Sequence, residues 1–237
     1  MLLSTAFFPP LSWFVAAAED WGREVATNPS SVCEVYLEAH ENYCKQSYRN
    51  RCIIAAAGGP EAISVPVVHD GDIFHTPITG IRVDYTDPWV KKAERAIESA
   101  YSTSAYFEYY RDDVFAILES GIPTLWDLNL AIINFFIRKI RLGIRIVPTL
   151  EFLVPERQMP SGGVAARGLV NGGTVGQDYR YIIHPKRENT ILRDLNLEKP
   201  YFQVFAGKYG FQSDLSVMDL LFNEGPQSLL YLVNWRA

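Results

Sequence analysis

The sequence predicts an α/β or α+β fold with a mixed sheet in a single domain. Strand candidates cluster in residues 1–85, helix candidates follow up to residue 142, and one more strand candidate comes next. Strands and helices in such an order pack as layers around one core. A length of 237 residues suits one domain and allows a sizeable core. We therefore expect residues 1–237 to form one domain with a central helical segment.

The first segments of the chain predict two strands and a helix. Residues 2–5 suggest a short strand. The segment 11–18 follows two prolines and predicts a helix, because proline is favoured in the first helical turn. Residues 30–39 alternate between two faces, which is typical of a half-buried strand.

A β-hairpin and two further strands are predicted next. The apolar runs 51–57 and 62–68 flank Gly58-Gly59-Pro60, and this arrangement predicts a hairpin. Residues 73–76 and 81–85 are short strand candidates.

Helices are predicted over residues 89–99, 106–119 and 123–142. Thr86-Asp87-Pro88 is a start signal for the first of them. The last one carries apolar residues at helical spacing and is followed by Gly143, a residue type that often ends helices. This apolar stripe predicts a core helix.

The remaining segments predict a strand, a loop and a last helix. Residues 145–153 suggest a strand. Residues 160–177 are rich in glycine and without periodicity, so we expect a flexible loop, and no phosphate-binding motif lies in it. Residues 213–221 predict a helix with Asp214 or Ser216 as its cap.

Composition narrows the class of protein. A net charge of −5 argues against nucleic-acid binding, which draws on a basic surface. Three cysteines without CxxC spacing predict reduced thiols rather than a zinc site or a disulfide framework. The apolar segment 130–146 is interrupted by cations, and the N-terminus has no basic leader region, so we expect no membrane span and a cytoplasmic location. The oligomeric state stays open.

The run 40–52, here called the polar run, is the first candidate site. It combines cations, amides and tyrosines without a single aliphatic residue. If it is extended, Lys45, Arg49 and Arg51 share one face and can bind a phosphate or a carboxylate. The alternative is a solvated strand edge on which Lys and Arg prevent sheet-to-sheet association.

A second candidate group is Asp178, Arg180, His184 and Lys186. Asp and His side chains can act together as an orienting group and a base. The alternative is a structural histidine, because His184 lies just before a proline at a strand end.

Other candidates carry weaker signals. His69, Asp70, Asp72 and His75 are the residue types that ligate metals, but His69 and Asp70 lie in a predicted turn and there is no HExxH motif, so we expect no metal site. Cys44 has a cation beside it that can lower a thiol pKa. Asp219 and Asn223 fit either a helix with its cap or a functional pair.

Several motifs together resemble the WbqC-like protein family of bacteria. The matching segments are Ser4–Pro10, Tyr43–Arg51, Ser64–Val67, Trp89, Ala105–Tyr110, Asp127–Asn129 and Leu215–Pro226. The resemblance implies an accessory enzyme of surface-polysaccharide (O-antigen) biosynthesis that adds an acyl or aminoacyl group to an amino sugar. It carries over Lys45, Asn50, Arg51, Asp219 and Asn223, and for a shorter branch of the family also Asp178, Arg180 and Lys186. Many members have His-Gln-Pro where this chain has Leu3-Ser4-Thr5, so their chemistry need not transfer.

The leading hypothesis is a transferase acting on an anionic, nucleotide- or lipid-linked amino sugar. Lys45 and Arg51 would hold phosphate or carboxylate, Asn50 would orient the substrate, and His184 or Asp178 would be the general base. We expect Lys45, Arg51 and His184 to converge on one pocket. The residues identify no cofactor.

Two alternatives remain. The opening strand, loop and helix resemble nucleotidylyltransferase-type domains, although the HxxH phosphate signature is absent. The other alternative is a non-catalytic partner protein of a biosynthetic complex, with tyrosines at its interface.

Overall fold

A computed structural model describes residues 1–25, 28, 30–154, 169–170, 173–174, 177–187, 189–194 and 198–233. Its organising element is a parallel sheet of β1 (Leu2–Leu3), β2 (Cys33–Leu37) and β5 (Ile144–Pro148), with β2 in the centre. The burial of β2 alternates along the strand, as its sequence pattern predicts. Leu2 also forms a parallel bridge with Asp178, which places residues 177–179 beside the outer edge of β1.

The helix α1 (Leu11–Glu24) connects β1 to β2. It is buried on almost every side, because it packs against the sheet and against the helices at the end of the chain. A helix that is apolar around most of its circumference must lie inside a protein. The predicted helix is therefore confirmed, and it extends six residues past residue 18.

The predicted hairpin is also confirmed. Strands β3 (Arg51–Ala56) and β4 (Gly59–Ser64) pair antiparallel, from Arg51 opposite Ser64 to Ala56 opposite Gly59. Gly59 has φ +110°, a conformation that residues with a Cβ rarely adopt. The hairpin forms a sheet of its own, so parallel and antiparallel pairing coexist in the α/β fold.

Three long helices form the central segment: α2 (Trp89–Tyr101), α3 (Phe107–Glu119) and α4 (Leu125–Ile140). Each lies within one or two residues of its predicted bounds. Thr124 caps α4 by accepting a hydrogen bond from the backbone N–H of Asp127. The left-handed residue after α4 is Arg141, with φ 64°, and not Gly143.

Several strand predictions are wrong. Residues 73–75 form a 3-10 turn, and residues 81–85 make only isolated bridges, such as Val83 with Val67. Strand β5 ends at Pro148, five residues before the predicted end. A short apolar run fits a paired strand and an unpaired turn equally well. Which of the two forms depends on pairing partners that are distant in sequence.

The last third of the chain is built from short elements. The described part of the glycine-rich segment contains β6 (Leu169–Val170) paired with β7 (Gly173–Thr174), and the predicted loop otherwise lies outside the described residues. The helices are α5 (Ile191–Asp194), α6 (Ala206–Tyr209), α7 (Val217–Glu224) and α8 (Ser228–Val233). Among the described residues, no helix has the length and apolar character needed to cross a bilayer.

One of the two predicted caps serves α7, and the other serves α1. Ser216 accepts a hydrogen bond from the backbone N–H of Met218 at the start of α7. Asp214 instead accepts bonds from the backbone N–H and the hydroxyl of Ser12, at 2.8 and 2.9 Å. It thereby satisfies the first turn of α1, where Pro10 offers no side-chain cap.

Candidate functional site

The polar run leads from the end of β2 to β3 and is not a strand before Arg51. It is a series of turns in which Gln46 has φ 58°. Its side chains line two different cavities. The hairpin cavity, about 610 Å³, is lined by Lys45, Asn50 and Arg51, and the sheet-edge cavity, about 450 Å³, by Glu41, Cys44 and Arg49. The predicted single face of Lys45, Arg49 and Arg51 is therefore wrong, because the turns send Arg49 to the other side.

The hairpin cavity lies over β3, β4 and the start of α2. Its lining also includes Glu61, Ser64, Pro66, Asp84, Asp87, Trp89 and Lys92. Asn50 is fixed by two hydrogen bonds with Val65: its side-chain Nδ2 donates to the carbonyl at 3.1 Å, and its own carbonyl accepts from the backbone N–H at 2.8 Å. This pairing continues the hairpin register past Arg51.

Three buried polar atoms around the hairpin cavity have no hydrogen-bond partner among the described residues. They are Asn50 Oδ1, Arg51 Nε and Trp89 Nε1. A buried polar atom without a partner costs about 1–3 kcal/mol, so such atoms are rare in stable proteins. An acceptor and two donors at one cavity favour a ligand, or ordered water, that supplies the missing partners.

The charges of the hairpin cavity are mixed. Lys92 forms an ion pair with Asp87 at 2.8 Å. In the described part of the chain, Lys45 and Arg51 form no ion pair, and the Nζ of Lys45 lies 5.8 Å from the ring centroid of Phe74. Hydrogen bonds from Thr86 lower the pKa of Asp84, so this carboxylate is ionised at neutral pH. The cavity thus offers cations and a carboxylate that are not neutralised by each other.

The sheet-edge cavity lies where the parallel strands end at their carboxyl termini. At this edge Arg180 is fully buried between two carboxylates, Glu38 at 2.7 Å and Asp178 at 2.7 Å. Its Nη2 also donates to the carbonyl of Leu153 at 2.7 Å, and Glu38 accepts from Thr149. Ligands of open α/β sheets bind at this edge, and here it is held together by a buried ionic cluster.

Asp178, a predicted catalytic residue, is part of that cluster. Both of its oxygens accept hydrogen bonds from Arg180, at 2.7 to 3.1 Å. One guanidinium therefore occupies both oxygens, and Asp178 lines neither cavity. The geometry favours a structural role for Asp178.

A second ionic group at this edge was not predicted. Arg49 binds both oxygens of Glu41, with its Nε at 2.9 Å, and its Nη2 donates to the hydroxyl of Ser4 at 2.9 Å. Burial raises the pKa of Glu41, and the guanidinium of Arg49 opposes this rise. The hydroxyl of Ser4 in turn donates to Glu41 at 3.0 Å. The position of Glu41 just after β2 is the one sequence signal that could have indicated this ionic group.

His184 is half-buried in the sheet-edge cavity. Its Nδ1 accepts a hydrogen bond from the backbone N–H of Lys186 at 3.1 Å. Burial lowers the His184 pKa, and Arg187, Arg49 and Lys186 lower it further. The ring is therefore neutral at pH 7 with its proton on Nε2, which suits hydrogen-bond donation better than proton abstraction.

Lys186 connects the two cavities. Its ammonium group contacts the side-chain oxygen of Gln46, which lines the hairpin cavity. Its backbone supports His184 on the other side.

Asp219 and Asn223 lie inside α7, and neither is among the described lining residues of the two cavities. Asp219 accepts hydrogen bonds from Tyr201 at 2.6 Å and from Gln203 at 2.8 Å, and burial raises its pKa to about 6. Asn223 donates to the carbonyl of Asp219 at 2.8 Å. These contacts attach residues 201–203 to the helix.

The structure therefore groups the predicted residues in three places. Lys45, Asn50 and Arg51 share the hairpin cavity, and Arg180 and His184 line the sheet-edge cavity. Asp219 and Asn223 lie in α7. The expected convergence of Lys45, Arg51 and His184 on one pocket is not found, because the polar run separates them. Among the described residues, no group of three or more His, Cys, Asp or Glu side chains could hold a metal ion.

Comparison with protein-family models identifies one family. A family model described as WbqC-like protein family matches residues 30–231. A protein from Mycobacterium tuberculosis (strain ATCC 25618 / H37Rv), named Uncharacterized protein Rv1507c, is 28% identical over 211 residues, which cover 85% of this chain and 88% of that protein. No solved structure matches the chain.

Proposed function

Because the chain belongs to the WbqC-like protein family, we propose that it is a transferase of surface-polysaccharide (O-antigen) biosynthesis that moves an acyl or aminoacyl group onto an amino sugar. The observation that supports this proposal most is the hairpin cavity. It is lined by Lys45, Asn50 and Arg51, three binding residues that the family resemblance implies. Two of these residues have a buried polar atom without a partner in the described part of the chain.

Each of these side chains has a definite task in the proposal. The guanidinium of Arg51 and the ammonium of Lys45 bind the phosphate or carboxylate of the substrate. Asn50 Oδ1 accepts a hydrogen bond from a sugar hydroxyl, since its Nδ2 is occupied by Val65. A volume of about 610 Å³ suits one sugar phosphate with part of its carrier.

The transfer joins the sugar nitrogen to the acyl carbonyl carbon, the leaving group departs with the electron pair, and the nitrogen loses a proton. His184 and Asp178 are the predicted proton acceptors, but His184 lines the sheet-edge cavity and Asp178 lines neither cavity. Both are also engaged, His184 by the N–H of Lys186 and Asp178 by Arg180. In this proposal the departing group therefore takes the proton from the nitrogen.

The test is a mass assay of the purified protein with amino sugars, free or nucleotide-linked, and thioester or aminoacyl donors. We expect one pairing to give a product heavier by the acyl group. Lys45→Ala and Arg51→Gln should remove turnover and leave the protein folded. Lys199→Ala, at an exposed position outside both cavities, should keep it. No mass change with any pairing would contradict the proposal.

A second candidate function is favoured by the sheet-edge cavity. Its place at the carboxyl edge of a parallel sheet, together with the exposed cation Arg187, suits a nucleotide-binding enzyme of the nucleotidylyltransferase type. A nucleoside triphosphate with Mg²⁺ at about 100 times its Kd would then stabilise the fold by about 2.7 kcal/mol. A thermal melt without any shift would remove this candidate.

A further inference from the structure

We propose that the hairpin cavity selects a zwitterionic ligand: Arg51 binds its anionic group, and Asp84 binds a protonated amine at the other end of the molecule. This proposal rests on the proposed function, because it concerns a ligand of the same cavity. It adds Asp84, which the sequence did not suggest, and it specifies that the sugar binds with its amine protonated.

Arg51 and Asp84 stand on opposite sides of one backbone segment. Arg51 is paired with Ser64 across the hairpin. Farther along, the backbone N–H of Asp84 donates to the carbonyl of Pro66 at 3.0 Å, and Val83 bridges Val67. Residues 64–67 thus lie between the two charged residues. Two strand spacings separate the backbones of Arg51 and Asp84 by about 10 Å.

The cavity suits a hexosamine phosphate. Arg51 and Asp84 both line it, and its volume of about 610 Å³ accommodates one sugar ring with its phosphate. Asn50 and Trp89 line the same space.

Asp84 is prepared to bind a cation. Its Oδ1 accepts hydrogen bonds from the backbone N–H of Thr86 at 2.9 Å and from the Thr86 hydroxyl at 2.6 Å. These bonds fix the carboxylate and favour its ionised form, while Oδ2 makes no hydrogen bond or ion pair with the described residues. His69, which is exposed, also favours the ionised form of Asp84.

Glu61 is the other carboxylate of the cavity without an ion pair in the described part of the chain. It is exposed and lies opposite Ile54, three residues nearer the hairpin turn than Ser64. Asp87 is neutralised by Lys92. Asp84 is therefore the carboxylate that is both half-buried and available.

Acylation would reverse this recognition. The bound ammonium first gives one proton to solvent, because only the neutral amine has the lone pair that attacks the acyl carbonyl carbon. The nitrogen then loses a second proton to the departing group. The amide that results has no charge for Asp84 to bind. The substrate therefore binds more tightly than the product, and the product is released without competing for the site.

The experiment is calorimetric titration of three probes without any acyl donor: glucosamine 6-phosphate, N-acetylglucosamine 6-phosphate and glucose 6-phosphate. We expect the unaltered protein to bind the amine at least about tenfold more tightly than the other two, as a partly buried charge-assisted hydrogen bond allows. Asp84→Asn should remove this preference and leave glucose 6-phosphate binding unchanged. Arg51→Gln should weaken all three.

Two matched variants control the assignment. Glu61→Gln, in the same cavity, and Asp70→Asn, an exposed acid paired with Arg82, should retain the amine preference. Equal binding of the three probes, binding of none of them, or loss of the preference in Glu61→Gln instead of Asp84→Asn would overturn the proposal. The probe comparison needs no variant, so it decides even if Asp84→Asn does not fold. An intact amine preference without any transfer would overturn the transferase alone.

Discussion

Arg180 allows two carboxylates, Glu38 and Asp178, to remain in the interior at the carboxyl edge of the sheet. All three side chains are fully buried, and Arg180 uses Nε, Nη1 and Nη2 to bind them and the carbonyl of Leu153. The partners come from three distant parts of the chain. This cluster therefore connects the end of β2, the segment after β5 and residues 178–180. It stabilises the fold by joining these segments as well as by pairing charges.

Replacing Arg180 by methionine should be strongly destabilising, because it leaves Glu38 and Asp178 buried without a countercharge. Breaking a buried ion pair costs about 3–5 kcal/mol. Urea unfolding at pH 7 measures the loss in the free energy of unfolding. Arg187→Met, at an exposed position, should change it by less than about 1 kcal/mol. Equal stability of the two variants would mean that the cluster contributes nothing net.

Asp219 gives the stability a specific pH dependence. Burial raises its pKa to about 6 from the ordinary value of 3.8. Between these values the folded protein retains a proton that the unfolded chain has released, so stability falls as pH rises through this window. Denaturant unfolding from pH 4 to 7 should show this fall, superimposed on the other groups. In Asp219→Asn the fall should be smaller. Identical pH profiles of the two proteins would show that Asp219 ionises as it does in the unfolded chain.

At the residue scale, the sequence indicated which side chains could bind or react, but not which side chains contact each other. Lys45 and Arg51 were predicted to share a pocket with His184, and they share one with Asn50 instead. Glu38 and Glu41 were missed as site residues, because their partners Arg180 and Ser4 are 142 and 37 residues away. His184 was predicted as a base, and only the bond from Lys186 reveals its tautomer.

The elements show which local signals are sufficient. Helices α2, α3 and α4 were predicted almost to their ends, because a 3.6-residue stripe and a cap are local features. Residues 73–76 and 81–85 were mistaken for strands, because whether a short apolar run pairs with a neighbour depends on the rest of the fold. The cap of α1 is the clearest case, since Asp214 lies 202 residues from the Ser12 that it binds.

The end of α4 yields a prediction that contrasts two positions. Arg141 adopts the left-handed conformation with φ 64°, which glycine tolerates better by about 1 kcal/mol. Arg141→Gly should therefore stabilise the protein slightly. A Cβ on Gly143 would lie 2.1 Å from the Nε1 of Trp21, so Gly143→Ala should destabilise it clearly. Thermal melts of both variants test this, and a stabilising Gly143→Ala would contradict the close packing.

The whole molecule places two cavities on opposite sides of one loop. The polar run forms a wall of each, and Lys186 connects them through Gln46 and His184. A transferase has two substrates, so two neighbouring sites with different chemistry agree with the proposed reaction. The hairpin cavity has the mixed charges that suit an amino sugar phosphate, and the sheet-edge cavity has the position that suits a nucleotide-bearing molecule.

If each cavity has its own ligand, the two should bind together. Glucosamine 6-phosphate and a nucleoside triphosphate with Mg²⁺ should each raise the melting temperature, and the two shifts should add when both ligands are present, because they occupy separate sites. Arg51→Gln should abolish only the first shift. Arg187→Gln should abolish only the second, since Arg187 lines the sheet-edge cavity and is exposed enough to be replaced without loss of fold. Shifts that compete instead of adding would show that one ligand site extends across the polar run, and that Gln46 and Lys186 lie within it.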